Sequence, residues 1–276
     1  MNTRKYKLDF KGNGQEFLSK KVIYKTQSKF QKIEISDLDL LGRVLVLDDI
    51  IQLSELDCDV YHESFAHIPM SYLKNPQRVL ILGGGDGILA KELLKYDKLK
   101  IDLVDIDPVV LNVSAKYLLR LNDNSLSDNR VNVFNQDALS YCSNLKKETY
   151  DAIFGDITDP HPNSPSASLL SESALSKYKS LLKKDGIISI QTDNVQIAPN
   201  HVYNTRKKIK NNFRNQYNFS IANITLGGVF SFVCATNSDN SRRKIQVSTN
   251  WLDEEKIKTN FLLHNYLYKK EGSGDK

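Results

Sequence analysis

The chain has 276 residues, with 38 Lys and Arg against 33 Asp and Glu, which leaves a formal charge of +5. Hydrophobic residues make up 40% and charged residues 26%, so the composition is that of an ordinary globular protein and excludes a disordered or collagenous chain. The longest apolar runs, Val79–Leu82 and Val229–Ala235, are far shorter than the ~20 residues a bilayer span needs.

The charge is mild and dispersed. Its densest patch, Arg206-Lys207-Lys208-Ile209-Lys210, has a helical pattern and reads as a solvated face. A nucleic-acid surface would want more charge with interleaved aromatics. Met1 to Phe17 is charged and lacks an apolar core, so no secretory signal is expected. Cys58, Cys142 and Cys234 have no metal or redox spacing and read as free thiols in a reducing compartment. These features point to a cytoplasmic protein with no nucleic-acid and no membrane partner.

In chain order, residues 1–60 read as a small β-hairpin domain. Val22–Lys25, Lys29–Ile35, Arg43–Leu47 and Ile50–Leu53 are short β-prone runs, interrupted by Gly42 and by Asp48-Asp49. Residues 61–276 then alternate. A helix carrying Tyr61, Phe65 and Ile68 ends near Pro69. Strands are expected at Arg78–Leu82, Lys100–Val104, Arg130–Phe134, Tyr150–Phe154 and Gly186–Gln191. Helices are expected at Ile88–Lys95, Val109–Leu119, Leu169–Leu182 and Val202–Asn212. Asn218–Ile224 and Val229–Ala235 close an edge hairpin around Gly227-Gly228, and Asp253–Tyr268 reads as a last helix. This α/β alternation implies a mostly parallel sheet with helices on both faces.

Gly83-Gly84-Gly85-Asp86-Gly87 follows a strand and opens a helix. Glycines there permit a tight turn and close approach of a ligand. Gly85-x-Gly87-x-x-Ala90 also satisfies the dinucleotide fingerprint, a weak signal alone. Asp105, Asp137, Asp156 and Asp159 each fall at or near the carboxyl end of a strand. One such Asp is more often a helix cap; four of them with Asp86 define a shared pocket. Asp105, about twenty residues past the loop, is placed to take ribose hydroxyls. An acidic pocket on a net-basic protein captures a cation locally. A pyrophosphate at the helix N-terminus would have little use for Asp86 beside it, so a sulfonium nucleoside and an amine fit better.

Further segments accompany these: Ser28-Lys29-Phe30-Gln31-Lys32-Ile33, Val46-Leu47-Asp48-Asp49-Ile50-Ile51-Gln52, Tyr61-His62-Glu63, Val104-Asp105-Ile106-Asp107-Pro108, Gln136-Asp137-Ala138 and Gly155-Asp156-Ile157-Thr158-Asp159-Pro160. In order and spacing the chain resembles the polyamine aminopropyltransferases, the spermidine synthase family, from about Gly12 to Thr236. The resemblance implies a Rossmann-like, methyltransferase-type catalytic domain behind an N-terminal β domain. It implies transfer of the aminopropyl group of decarboxylated S-adenosylmethionine, a co-substrate rather than a bound cofactor, to an amine, with release of methylthioadenosine. By the same resemblance Asp156 is the catalytic carboxylate. His62, Asp86, Asp159, Tyr61 and Gln52 hold the acceptor. Gln31, Gly83, Gly85, Asp105, Asp137, Ala138 and Pro165 bind the nucleoside. No metal is expected, and a homodimer or homotetramer is.

Putrescine is the default acceptor; a longer polyamine, as in thermospermine or spermine synthases, is the alternative. A non-catalytic nucleoside-binding paralogue and an amine methyltransferase are the remaining readings. Some positions depart from the family. Asp49 stands where a glycine is usual, Cys58 where an acidic residue is usual, and residues 161–167 replace a shorter glycine-containing loop. Thr225-Leu226-Gly227-Gly228 stands in place of Tyr-Pro-Ser-Gly, with Thr225 at a tyrosine that grips the acceptor. The remaining histidines, His67, His161, His201 and His264, read as surface or helix residues, and Cys58, Tyr203 and Trp251 as packing residues.

Overall fold

The computed structural model describes residues 5–10, 13–158 and 165–271. The chain begins with β1 (Lys5–Phe10), β2 (Asn13–Gln27), β3 (Lys32–Leu38), β4 (Gly42–Leu47) and β5 (Ile50–Ser54), which form a five-stranded antiparallel sheet in sequence order. The sequence reading missed β1, in which Lys5, Lys7 and Asp9 alternate with Tyr6, Leu8 and Phe10, and which pairs with β2 alone among the described strands. The expected strand from Lys29 instead begins at Lys32. The Ser28 hydroxyl accepts from the backbone N–H of Phe30 and of Gln31, so residues 28–31 form a side-chain-closed turn. Asp48 and Asp49 make the β4–β5 connection at φ +48° and +68°. A two-residue turn with positive φ at both positions favours Gly, Asn or Asp, and here two aspartates occupy it.

Then come α1 (Cys58–Met70), β6 (Arg78–Gly83), α2 (Ile88–Leu93), β7 (Lys100–Asp105), α3 (Pro108–Tyr117), α4 (Leu119–Asn122), β8 (Val131–Asn135), α5 (Ala138–Ser143) and β9 (Tyr150–Asp156). A short 3-10 turn, Pro165–Leu170, precedes α6 (Glu172–Leu181), β10 (Leu182–Asn194), α7 (Pro199–Asn212), β11 (Asn215–Asn223), β12 (Gly228–Thr236) and α8 (Glu254–Glu271). The expected helix from Leu169 is thus shorter, because Ser171 caps α6 by accepting from the Ala174 N–H. The short α5 was not foreseen.

The second sheet has seven strands in the order β11-β12-β10-β9-β6-β7-β8. β8, β7, β6, β9 and β10 are parallel neighbours, and β12 runs antiparallel to β10 and β11. Alternate residues of each buried strand serve opposite faces. Val79 and Ile81 pack with Phe65 of α1, Leu89 of α2 and Ile257 of α8. Leu80 and Leu82 pack with Tyr141 of α5, Leu175 of α6 and Ile209 of α7. The expected doubly covered, mostly parallel sheet is therefore present. Among the described residues no helix is long and apolar enough to cross a membrane.

A third apolar cluster fastens the N-terminal sheet to the second. Ile33, Ile35, Leu45 and Leu47 pack against Ile88, Val110, Val113 and Leu121. This contact brings the 28–31 turn beside the end of β7. At the other end of the sheet, buried Asp102 accepts from Arg78, Asn132 and the Tyr150 hydroxyl, tying four neighbouring strands together.

Expected exposure is corrected at Arg206 and at Tyr203. Arg206, read as part of a solvated face, is 6% exposed and hydrogen-bonds Ser231 and His264. Its turn of α7 faces the sheet, as buried Val202 and Ile209 also do. His264 is likewise buried, and burial with the Arg206 charge nearby drives its pKa down to about 3. Tyr203, read as core, is 57% exposed on the opposite side of α7. Cys58, Cys142 and Cys234 are all buried free thiols, and burial raises each thiol pKa.

Candidate active site

The order of the second sheet reverses at β6, which has β7 on one side and β9 on the other. The crevice outside such a switch point is where an open α/β sheet binds ligands. Both main motifs end there: Gly83 pairs in register with Asp156. Gly83, Gly84 and Gly87 adopt φ +83°, +72° and +80°, a region that side-chain-bearing residues avoid. A Cβ on Gly83 would lie 2.1 Å from the Asp156 carbonyl oxygen, so the loop closes on β9 only with glycine. The Gly84 N–H then donates to that carbonyl at 2.9 Å.

Asp156 ends β9 with its carboxylate held among three elements. The Tyr61 hydroxyl of α1 donates to Oδ1 at 3.2 Å, and Oδ2 is buried with no partner among the described residues. Burial pushes the Asp156 pKa well above the ordinary value, the Asp86 charge adds to this, and the Tyr61 hydrogen bond partly opposes it. Phe65, Phe230 and Phe232 fix the Tyr61 ring by edge and tilted contacts. Phe65 sits on α1, where the sequence marked it as part of the helix, whereas Phe230 and Phe232 sit on β12 and were given no role.

His62 follows Tyr61 on α1. Its Nδ1 lies 2.8 Å from the Cys58 carbonyl, which can only accept, so Nδ1 carries a proton. Nε2 faces Asp86 Oδ1 at 3.9 Å. Asp86 Oδ1 accepts from the Ile88 N–H, and Asn122 anchors the Asp86 carbonyl. His62, Asp86 and Asp156 offer atoms within 4.8 Å of one another, a spacing that suits a cation, organic or metallic.

Asp105 ends β7 and faces the same crevice. Its oxygens accept the N–H groups of Gly85 and Asp107, at 3.0 and 2.8 Å. Burial lifts its pKa to about 6 despite the Asp107 backbone hydrogen bond, and the neighbouring carboxylates Asp107 and Asp86 add to the rise. Asp137 caps α5 by accepting from the Ser140 N–H, with Ala138 buried beside it. Gln31 arrives from the N-terminal sheet and donates to Asp107 at 3.1 Å. Gln52 lies on β5, its amide on the Ile50 carbonyl. Asp159 lies outside the described residues, and so does the side chain of Pro165. Thr225 is 1% exposed, and its hydroxyl and N–H bind Asp57, with Ser54 alongside. It therefore braces the β11–β12 turn against the start of α1.

Sequence reasoning quoted Asp107 without giving it a role. It is fully buried, caps α3 through Val109, and takes hydrogen bonds from Ser28 and Gln31. The signal was present: an Asx residue followed by Pro108 is a helix start.

A Rossmann-like sheet with a glycine loop after its central strand and carboxylates at the neighbouring strand ends is an architecture used by nucleotide- and nucleoside-binding enzymes. The model of the spermine/spermidine synthase domain matches residues 58–244, and that of the spermidine synthase tetramerisation domain matches residues 4–55. Polyamine aminopropyltransferase 1 of Hyperthermus butylicus is 34% identical over 220 residues, 79% of this chain and 75% of its own. The polyamine aminopropyltransferase of Pyrobaculum aerophilum is 36% identical over 210 residues, 75% of this chain and 72% of its own. A solved spermidine synthase in complex with the transition state analogue AdoDATO superposes with a TM-score of 0.90 at 28% identity, over 99% of this chain and 96% of that one. Spermidine synthase from Thermotoga maritima gives 0.88 at 29% identity, over 99% and 95%. The chain belongs to the spermine/spermidine synthase family and is an enzyme of the aminopropyltransferase class.

Proposed function

We propose that the protein transfers the aminopropyl group of decarboxylated S-adenosylmethionine to putrescine, giving spermidine and methylthioadenosine. The observation that carries this reading is the unpartnered, buried Asp156 Oδ2 beside Asp86 and His62. A buried acceptor without a donor is costly, and an amine N–H at that point relieves it. Asp105 and Gln31 take the ribose, Asp137 and Ala138 the adenine, with Gly83, Gly85 and Pro165 shaping that side. Tyr61, His62, Asp86, Gln52 and Asp159 hold the acceptor. Residues 1–60 form a separate β domain that lends Gln31 and Gln52 to a catalytic domain of residues 61–276, and it also joins chains into a homodimer or homotetramer. Three buried free thiols fit a cytoplasmic setting.

The reaction is a direct displacement. The amine lone pair forms the new N–C bond at the carbon next to sulfur, the C–S bond breaks, and its electrons neutralise the sulfonium as methylthioadenosine leaves. Positioning of amine and carbon supplies much of the rate. An amine near ~10 and a carboxylate near ~4 differ by about 8 kcal/mol in proton affinity. Burial raises Asp156 and so narrows that gap. Asp156 orients the amine and draws on its proton, which then passes to water. A longer polyamine is the second reading, since Thr225 is committed to Asp57 and Ser54 and does not supply the acceptor grip that the resemblance expects of a tyrosine there.

The nucleoside half is tested by comparing two ligands. Intact S-adenosylmethionine carries an extra carboxylate, which Asp86 repels. The decarboxylated form is expected to bind at least about tenfold tighter, a difference of about 1.4 kcal/mol. Asp86→Asn is expected to shrink the difference. Equal binding of both forms by the wild type would point to methyl transfer instead.

A further inference from the structure

Gln31 has one hydrogen-bond donor group and one acceptor group at the end of its side chain. Its Nε2 lies 3.1 Å from Asp107 Oδ2. A carboxylate accepts only, so the amide of Gln31 has a single satisfied orientation: NH2 toward Asp107, Oε1 away from it. Asp107 is itself fixed. It is fully buried, its Oδ1 accepts the Val109 N–H at 3.0 Å, and its Oδ2 also accepts the Ser28 hydroxyl at 2.6 Å. Its own N–H donates to Asp105 Oδ1 at 2.8 Å. The chain of contacts therefore runs from the N-terminal turn, through Asp107, to the carboxylate assigned to the ribose.

We infer that Asp107 is a positioning residue that sets the polarity of Gln31. It compels Gln31 to present a carbonyl oxygen, so this side of the nucleoside site recognises a hydroxyl donor and discriminates against ligands lacking it. Asp105 likewise offers only acceptors. Both walls then demand donors, which a ribose diol supplies and an ether or a deoxyribose does not. The inference rests on the proposed place of Gln31 at the nucleoside.

The test uses the full chain and the dissociation constants of methylthioadenosine and its 2′-deoxy and 3′-deoxy analogues. In the wild type, removing the hydroxyl that meets Gln31 is expected to weaken binding about tenfold or more. In Asp107→Asn the cap to Val109 survives, but the new amide faces Gln31 with a donor. Gln31 turns its Oε1 to meet it and its NH2 toward the pocket, and the deoxy penalty is expected to fall to within about threefold. Gln31→Glu alone places two carboxylates face to face and weakens methylthioadenosine. Combined with Asp107→Asn it restores an acceptor face, and the deoxy penalty returns. A merely structural Asp107 would not produce this reversal, because each ratio is measured within one protein. An unchanged deoxy penalty in Asp107→Asn, or no recovery in the double variant, overturns the inference alone. Unchanged methylthioadenosine affinity in Gln31→Leu overturns the place of Gln31 at the nucleoside, and the inference with it.

Discussion

Asp156→Asn is expected to lower turnover by about a hundredfold to ten-thousandfold while methylthioadenosine affinity stays within about threefold. The amide keeps an oxygen for the Tyr61 hydroxyl, so the side chain stays in place. What is lost is the charge and the second acceptor that holds the amine lone pair in line. Stability should move the other way. Burial and the Asp86 charge raise the Asp156 pKa in the folded protein. Its ionised form therefore weighs against folding, a cost absent below the ordinary value of about 4 and growing as pH rises through the folded value. The unliganded variant should melt higher than the wild type at pH 8, and the gap should close toward pH 4. Near-normal turnover, or a melting gap that widens toward acid, contradicts the role given to Asp156.

Gly85→Ala is expected to cost nucleoside affinity about tenfold to a hundredfold, or about 1.4–2.7 kcal/mol. Gly85 is the glycine of the loop whose replacement presses hardest on a carboxylate of the site. Its Cβ would lie 2.6 Å from Asp105 Oδ2, 3.0 Å from its Cγ and 3.1 Å from Val110 Cγ1. The carboxylate must swing away and give up the Gly85 N–H. The φ of Gly85 is not among the positive ones, so the backbone itself tolerates alanine. Gly155→Ala is the control, since the three atoms nearest to its Cβ all belong to the Ile190 side chain, at 3.3 Å or more. Calorimetric titration with methylthioadenosine separates the two. Equal affinities in both variants would remove Asp105 from the ribose site.

The alternation of Val79 to Leu82 across two helical layers was legible, because buried parallel strands read as continuous apolar runs and helices fall between them. So were the glycine loop and the strand-end carboxylates, whose spacing follows from the strand-turn-helix geometry. Local chemistry that depends on distant partners was not. The 28–31 segment looked like part of a strand, and its turn is closed by a serine hydroxyl that Asp107, 79 residues on, also engages. Arg206 looked like one more solvated base, but α7 turns it onto Ser231 and His264. Thr225 read as a missing acceptor contact, and its real partner, Asp57, is 168 residues away.

The proposed aminopropyl transfer takes place at the crevice between β6 and β9. The most direct measurement offers decarboxylated S-adenosylmethionine with putrescine, cadaverine, agmatine, spermidine or spermine separately, and follows both products by mass spectrometry. One methylthioadenosine is expected per aminopropylated amine, with putrescine giving the fastest reaction and spermidine as its product. Methylthioadenosine binding without product from any of these amines would contradict it.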